Sequence, residues 1–440
     1  MQSVQPKNGP AMTAAACLWL GAFPLLQGGT YAHITYDKWL IMLILTGITA
    51  ACCLFDLVWN RKARLSVPKV PLFLAAGLLL WTVLSCLLSA YGPETWWLGE
   101  SARREGLLTH LCYFALFFCF FFSRVNLKPV LISAAAGVTA FFVIVMLQRA
   151  GGNPLGLYPT GRGYAYGHEF QGTIGNVDMG TGYLLLLSGL FLTALVKRSI
   201  FHIIVYALGL GLSVYLIITM EVQFGVISLA VLLLFTLLRF LPKKWRLPLL
   251  VLIILLVLVV VWFWPGQGGG IWELHEILHG RGRLSFGSNR VAVWKFSLLL
   301  ARENLLLGGG SGTFDARFNS YIKEHNLVIP KEQDGLPLPN YFDNPHSEYV
   351  SQLTDHGLPA LLLFLALILF SLFRRREGWF PVLAPCSAAV LCYAVQAAFS
   401  FSVCIVAPMF WVVLGLSFRD RPFVSRSREH IRTKNTQKTD

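Results

Sequence analysis

The sequence predicts an all-α, polytopic membrane protein of about twelve transmembrane helices, with a large, partly helical extracytoplasmic loop before the tenth span. Three observations carry that reading. The 440 residues are 55% hydrophobic and only 13% charged. Apolar runs of roughly 18 residues or more, the length that crosses a hydrocarbon core of about 30 Å, recur along the chain. One long polar stretch, Gly266 to Glu348, interrupts them.

The spans fall at roughly 11–28, 38–59, 70–90, 107–123, 129–148, 179–196, 201–219, 222–240, 247–265, 349–373, 379–397 and 401–418. With the N-terminus in the cytoplasm, every even connection lies inside, and each is basic: Arg61, Lys62, Arg64 and Lys69; Arg124 and Lys128; Lys197 and Arg198; Arg239, Lys243, Lys244 and Arg246; Arg374 to Arg376. That asymmetry is the positive-inside pattern. The chain thus divides into spans 1–9 over 1–265, an extracytoplasmic catalytic loop over 266–348, spans 10–12 over 349–418 and a basic cytoplasmic tail over 419–440.

The net charge of +14 is then mostly topology: 23 of the 36 Lys and Arg fall on the inner side. A basic tail beside a bilayer reads as a membrane-surface segment, and no nucleic-acid partner is expected. No cleavable signal peptide is evident before the first apolar run, so that segment is expected to be retained. All nine cysteines lie inside apolar runs and none in the long loop, which argues against a disulfide framework and a thiolate metal site.

Three outer segments carry polar detail. Gly92 to Gly106 holds Trp96-Trp97, suited to the interface belt, and then Arg103-Arg104-Glu105-Gly106. Arg149 to Asp178 ends in Gly172-Thr173-Ile174-Gly175-Asn176-Val177-Asp178, where Asn176 or Asp178 can cap the sixth span. In the long loop, Ser288 or Asn289 is placed to cap a helix over Arg290 to Glu303, with Val291, Trp294, Leu298 and Ala301 on one face. Leu307-Gly308-Gly309-Gly310-Ser311-Gly312 reads as a flexible turn into a second helix through Arg317 and Tyr321. Asn344 and Pro345 then look like an N-cap and first helical residue, placing His346 in the first turn of the helix entering the tenth span.

One motif offers a different chemistry. His275-Glu276-Ile277-Leu278-His279 fits H-E-x-x-H, two histidines one turn apart with an acid between, as in zinc peptidases. Glycines on both sides leave about two turns of helix, and Glu303 would have to be the third ligand, so a plain amphipathic helix is the favoured reading. No Asp-x-Asp occurs, which disfavours a transferase holding its donor through a carboxylate-bound metal; no metal or other cofactor is expected.

Arg290 to Trp294, Leu307 to Phe314, Asn344-Pro345-His346-Ser347-Glu348-Tyr349 and Asp355-His356-Gly357 together resemble the signature region of the O-antigen ligase and polymerase family, and Gly172 to Asp178 resembles its Gly-Thr-x-Gly-Asn-x-Asn element. The likeness covers mainly 172–185 and 285–365. It implies a membrane glycosyltransferase of the bacterial cytoplasmic membrane, taking a polyprenyl-diphosphate-linked glycan as donor and a glycan, lipid or protein as acceptor. It also implies His346 as the essential histidine and Arg290 as a donor-diphosphate ligand, with Trp294, Asn176, Asp178, Asn344 and Glu348 in support. One departure stands out: where the family shows Ser-Arg-Gly, this chain has Val222-Gln223-Phe224-Gly225. Arg162, Arg283 or Arg317 is expected to stand in for the missing arginine.

The residue types suit that chemistry independently. A diphosphate leaving group needs neutralisation, which arginine supplies through forked, charge-assisted hydrogen bonds. An acceptor hydroxyl needs a base, and a histidine at a helix N-terminus is biased towards the neutral imidazole a base requires. A small-anion or lipid-linked glycan transporter is an alternative, disfavoured because the spans are almost free of charge, Asp56 and Glu221 lying near ends.

Overall fold

The computed structural model describes residues 9–59, 68–158, 168–195, 199–329, 332–333, 336–337, 342–374, 376–377, 380–381, 383–401 and 403–419. Each of the twelve apolar runs contains a helix. In order these are α1 (Pro10–Cys17, continued by tighter and wider turns to Leu25), α2 (Ile34–Trp59), α3 (Lys69–Leu87), then, after the four-residue α4 (Pro93–Trp96), α5 (Leu107–Phe122), α6 (Leu127–Arg149), α7 (Val177–Ala194), α8 (Ile200–Thr219), α9 (Gln223–Leu238) and α10 (Lys243–Trp262). The long loop contributes α11 (Gly269–Leu278), α12 (Arg290–Glu303) and α13 (Phe314–Glu324), and the chain finishes with α14 (Glu348–Phe373), α15 (Pro385–Ala397) and α16 (Ala407–Ser417). Seven helices are long and apolar enough to cross a membrane, and five shorter apolar helices accompany them. Strand is confined to two-residue hairpins among the described residues, including β1 (Phe170–Gln171) paired antiparallel with β2 (Gly175–Asn176).

The bundle is organised around α7, which is buried on nearly every side and packs on α8 and α15. Gly189 allows the closest crossing: a Cβ there would overlap the Ala389 backbone, the small-residue contact by which helices approach in lipid. Gly415 does the same for α16 against α5, where a Cβ would lie 2.6 Å from the Phe117 carbonyl oxygen. By contrast α10 leaves most of its Leu, Ile and Val side chains exposed, as an apolar helix facing lipid does.

Two helix ends inside the bundle need polar repair. The first apolar run breaks at Phe23-Pro24, and the buried Lys38 donates its Nζ to the Phe23 and Pro24 carbonyls at 3.0 and 2.8 Å. The second break is in α14, where Gly357 takes a left-handed φ of 79° and Pro359 follows. Freed carbonyls there are met from two sides: Ser85 Oγ donates to Asp355 O at 2.8 Å and Trp81 Nε1 to His356 O at 3.0 Å, while Gly309 N and Gly310 N donate to Thr354 O and Asp355 O at 3.1 and 2.8 Å. Asp355-His356-Gly357 is therefore where the long loop docks into the bundle.

Several local expectations are corrected. Residues Gly308, Gly310 and Gly312 have positive φ but form a packed connection, not a flexible one; a Cβ on Gly308 would lie 2.5 Å from the Asp355 backbone. Helix α12 begins and ends where expected, yet its buried face is Ala292, Val293, Phe296, Leu300 and Ala301, and Leu298 is exposed. Its N-cap position is Asn289, but that residue is left-handed and its side chain makes no capping bond. The connections 88–106, 168–176 and 220–222 meet the described parts of the long loop and of the α15–α16 connection at one end of the bundle, through Arg103–Asp343, Arg290–Asp178, Phe224–Phe399 and Cys404 N–Glu105.

Candidate active site

The site is built from the turn before α14. Asn344 does not cap the helix: its Oδ1 accepts from His346 N at 2.8 Å, an Asx turn, and Ser347 is the N-cap, accepting from Val350 N. His346 itself is left-handed, φ 49°, and stands outside the helix, two residues before its first turn. The helix dipole therefore cannot account for its protonation state. Burial does so first, and the positive charges of Arg290 and then Arg103 add to it; Asp343 opposes them, and the balance brings the imidazole down to about 4. Its Nδ1 is buried without a hydrogen-bond partner among the described residues, and its ring meets the Phe401 ring edge-on at 5.2 Å.

Two guanidinium groups approach from different sides. On one, α12 carries Trp294, whose Nε1 donates to Pro345 O at 2.9 Å and fixes α12 to the histidine turn. One turn earlier on the same helix is Arg290, lying 5.6 Å over the Phe224 ring, with Nη1 donating to Gly287 O at 3.1 Å and Nη2 3.8 Å from Asp178 Oδ2. Its Nε is buried without a partner, and burial lowers its pKa, the Asp178 charge partly offsetting that. Phe224 stacks flat on Phe399 at 3.9 Å, and Phe399 in turn packs on Trp294 at 5.8 Å. Asn176 caps α7, accepting from Asp178 N at 2.8 Å, and Gln396 Nε2 donates to Asp178 O at 2.7 Å, so α7 and α15 jointly hold the carboxylate facing Arg290.

On the other side, Arg103 from the connection after α4 donates Nε to Asp343 Oδ2 at 2.6 Å and lies 4.5 Å over Phe401. Behind it a cavity of about 70 Å³ is lined by Arg103, Glu105, His110, Asn344, Glu348 and Asp355, among others. Glu105 accepts from Tyr113 Oη and Cys404 N, yet burial pushes its carboxyl up to about 8. Glu348 is the first residue of α14 and is buried, accepting from Gln352 Nε2 at 3.0 Å.

The structure brings His346, Arg290, Trp294, Asn176, Asp178, Asn344 and Glu348 to one end of the bundle. The other arginines are placed elsewhere. Arg317 donates to Thr313 Oγ1, Thr354 O and Asp355 Oδ1 at 2.8, 3.0 and 2.9 Å, all at the α14 break. Arg283 is exposed after α11, where its charge is felt by Glu276. Arg162 lies outside the described residues. The H-E-x-x-H residues lie half-buried on α11: His275 Nδ1 is 3.0 Å from Val261 O, His279 Nδ1 is 2.8 Å from His275 O, and Glu276 accepts from Arg281. No group of three or more His, Cys, Asp or Glu among the described residues is placed to hold a metal ion.

Sequence reasoning passed over Arg103 and the ring set Phe224, Phe399 and Phe401. The available signal was an arginine pair following two tryptophans in an outer connection, which by itself reads as an interface anchor.

A polytopic helical membrane protein whose histidine and arginines lie together just before a membrane-length helix is the class defined by this fold and site. Residues 208–365 match the family model described as O-antigen ligase. That stretch holds Arg290, Trp294, Asn344, His346 and Glu348, and the match supports the family that the motifs resemble. No curated protein matches the chain.

Proposed function

We propose that the protein transfers a glycan from a polyprenyl-diphosphate donor to an acceptor hydroxyl, with inversion and without a metal, at the outer face of the bacterial cytoplasmic membrane, the N- and C-termini being cytoplasmic. The observation that carries this reading is His346, neutral at physiological pH, with Nδ1 unpartnered beside Arg290. In the reaction a ring nitrogen of His346 takes the proton of the acceptor hydroxyl. The oxygen attacks the anomeric carbon from the face opposite the diphosphate, and the carbon–oxygen bond to phosphate breaks with its electron pair leaving on the diphosphate. Arg290 stabilises that growing charge, a role for which a guanidinium aimed at a leaving group suits. Asp178 holds Arg290 in place, and Trp294 holds the histidine turn.

The test incubates the purified protein with an undecaprenyl-diphosphate glycan and a panel of lipid, glycan and protein acceptors, reading transferred glycan and released lipid diphosphate. Stoichiometric release of both is expected in chelator. A requirement for added zinc would overturn the metal-free step and promote His275 and His279 instead. A surface-polysaccharide polymerase would use the same residues, and the acceptor that takes the glycan separates it from a ligase. Reporters fused after Gly310 and after Arg376 test the orientation; a cytoplasmic signal at the first position would refute it.

A further inference from the structure

The donor reading raises a question of charge. Each phosphate of a lipid diphosphate diester carries a negative charge, and Arg290 already shares its own with Asp178 at 3.8 Å. A second cation is therefore required near His346. Three other described arginines are committed: Arg317 to Asp355 and Thr354, Arg149 to Gln171 and Thr219, and Arg281 to Glu276. Arg104 has a buried Nε without a partner but lies over the Tyr36 and Trp39 rings, whereas Arg103 lies over the ring that meets His346.

Arg103 differs. It spends Nε on Asp343 at 2.6 Å, and neither Nη atom donates to another described group. Its side chain is 27% exposed, so a ligand reaches it. Its guanidinium lies 4.5 Å over Phe401, the ring that meets His346 at 5.2 Å. Its one ion pair is with Asp343, while burial pushes the carboxyl of neighbouring Glu105 up to about 8.

We infer that Arg103 is the second cation of the donor site, binding one phosphate of a lipid-linked diphosphate through its Nη atoms from the Phe401 side of His346, while Arg290 holds the other from the Phe224 side. This deepens the proposed transfer and rests on it. It also gives the base a trigger. Arg290 and Arg103 both oppose protonation of His346, and Asp343 is the charge that favours it. A diphosphate seated on both guanidinium groups offsets their contribution to the lowered proton affinity of His346, of which burial is the larger cause. A base strengthened in this way is nearer the operating pH, where proton abstraction is most efficient.

The experiment uses the full-length protein in detergent and reads two quantities: equilibrium binding of labelled undecaprenyl diphosphate, and the KM for donor and acceptor in transfer. Arg103→Gln is expected to weaken lipid-diphosphate binding and raise the donor KM by about ten- to hundredfold, the worth of a lost charge-assisted hydrogen-bond pair. The acceptor KM should stay within about twofold, and Arg103→Lys should recover part of the binding because the charge remains. Asp343→Asn separates this role from a purely structural one, since it breaks the ion pair but keeps the cation. It should bind the lipid diphosphate as well as wild type or better. Equal losses in Arg103→Gln and Asp343→Asn would reduce Arg103 to a strap and overturn the inference, as would Arg103→Gln binding within twofold of wild type. Wild-type protein that binds the lipid diphosphate but moves no glycan would sink the transfer reading and leave the Arg103 assignment standing; wild type that does not bind it overturns both.

Discussion

Two places in this molecule set an arginine, a carboxylate and a histidine close together, and they are finished differently. At the α14 break, Arg317 spends its donors on Thr313, Thr354 and Asp355, and His356 has both ring nitrogens engaged, with Ser311 Oγ at 2.8 Å and Gln352 Oε1 at 3.3 Å. At the turn before α14, Arg290 keeps an unpartnered Nε, its carboxylate stands off at 3.8 Å, and His346 Nδ1 has no partner. Both clusters are buried, so both incur the cost of desolvating polar groups. The first recovers that cost within the protein and acts as a joint. The second leaves it outstanding, which is the condition of a group kept ready for a substrate.

Breaking the contrast at its open end should give the largest effect. His346→Ala is expected to lower the transfer rate by about a hundredfold to ten-thousandfold while the protein still reaches the membrane and melts normally. Near-normal turnover at saturating acceptor would show that His346 is not the base. Next comes Arg290→Lys, for which a loss of about a hundredfold in kcat is expected, since an ammonium does not reproduce the forked contact. Recovery of full activity by lysine would reduce Arg290 to a point charge.

At the closed end the sign of the comparison reverses. Arg317→Met leaves Asp355 buried without its cation and is expected to cost about 3–5 kcal/mol of stability, read as a lower melting temperature. The surviving folded fraction should transfer with near-wild-type KM for the donor. A large donor KM change with unaltered melting would move Arg317 into the donor site.

The smallest effect is one of pH. The folded-state affinity of His346 for protons lies near 4, below its ordinary 6.5. As pH falls from about 6.5 towards 4 the unfolded chain takes up a proton that the folded chain does not, so stability from this group is full above 6.5 and is lost across that window. Between pH 7 and 5 the melting temperature of wild type should therefore fall more than that of His346→Gln. Equal slopes for the two would show that His346 is not held neutral by the fold.

Much of the architecture was readable because hydropathy is a property of runs: each expected apolar segment contains a helix, and α12 begins at Arg290 and ends at Glu303 as its pattern implied. What escaped were features fixed by partners distant in sequence. Gly357-Leu358-Pro359 carries the composition of a break, but the partners that sustain it, Leu305 O, Ser85 and Trp81, lie far away in sequence. Asn344-Pro345 has the composition of a helix start, but the asparagine is spent on its own turn and Ser347 takes the cap. Arg103 meets Asp343 across 240 positions, a separation over which composition carries no register. Of the arginines drawn from the family resemblance as substitutes, Arg317 is held at the α14 break and Arg283 is exposed, for the same reason: order along a loop does not determine which side chains face one another.

The break in α14 has a consequence for the bilayer itself. Below Gly357 the helix runs only from Leu358 to Phe373, about 24 Å at 1.5 Å per residue. The neighbouring α15 and α16 have thirteen and eleven residues, shorter still. A hydrocarbon slab of about 30 Å does not match such elements, and lipid accommodates short ones by thinning around them. The lipid surface should dip beside α14 to α16, lowering the headgroup plane to the level of the histidine turn. A lipid-borne substrate would then arrive with its headgroup already at the depth of the site. Reconstitution in phosphatidylcholines of graded chain length measures this: turnover should be highest in thin bilayers and decline as the acyl chains lengthen, and a flat profile would show that bilayer thickness does not govern access.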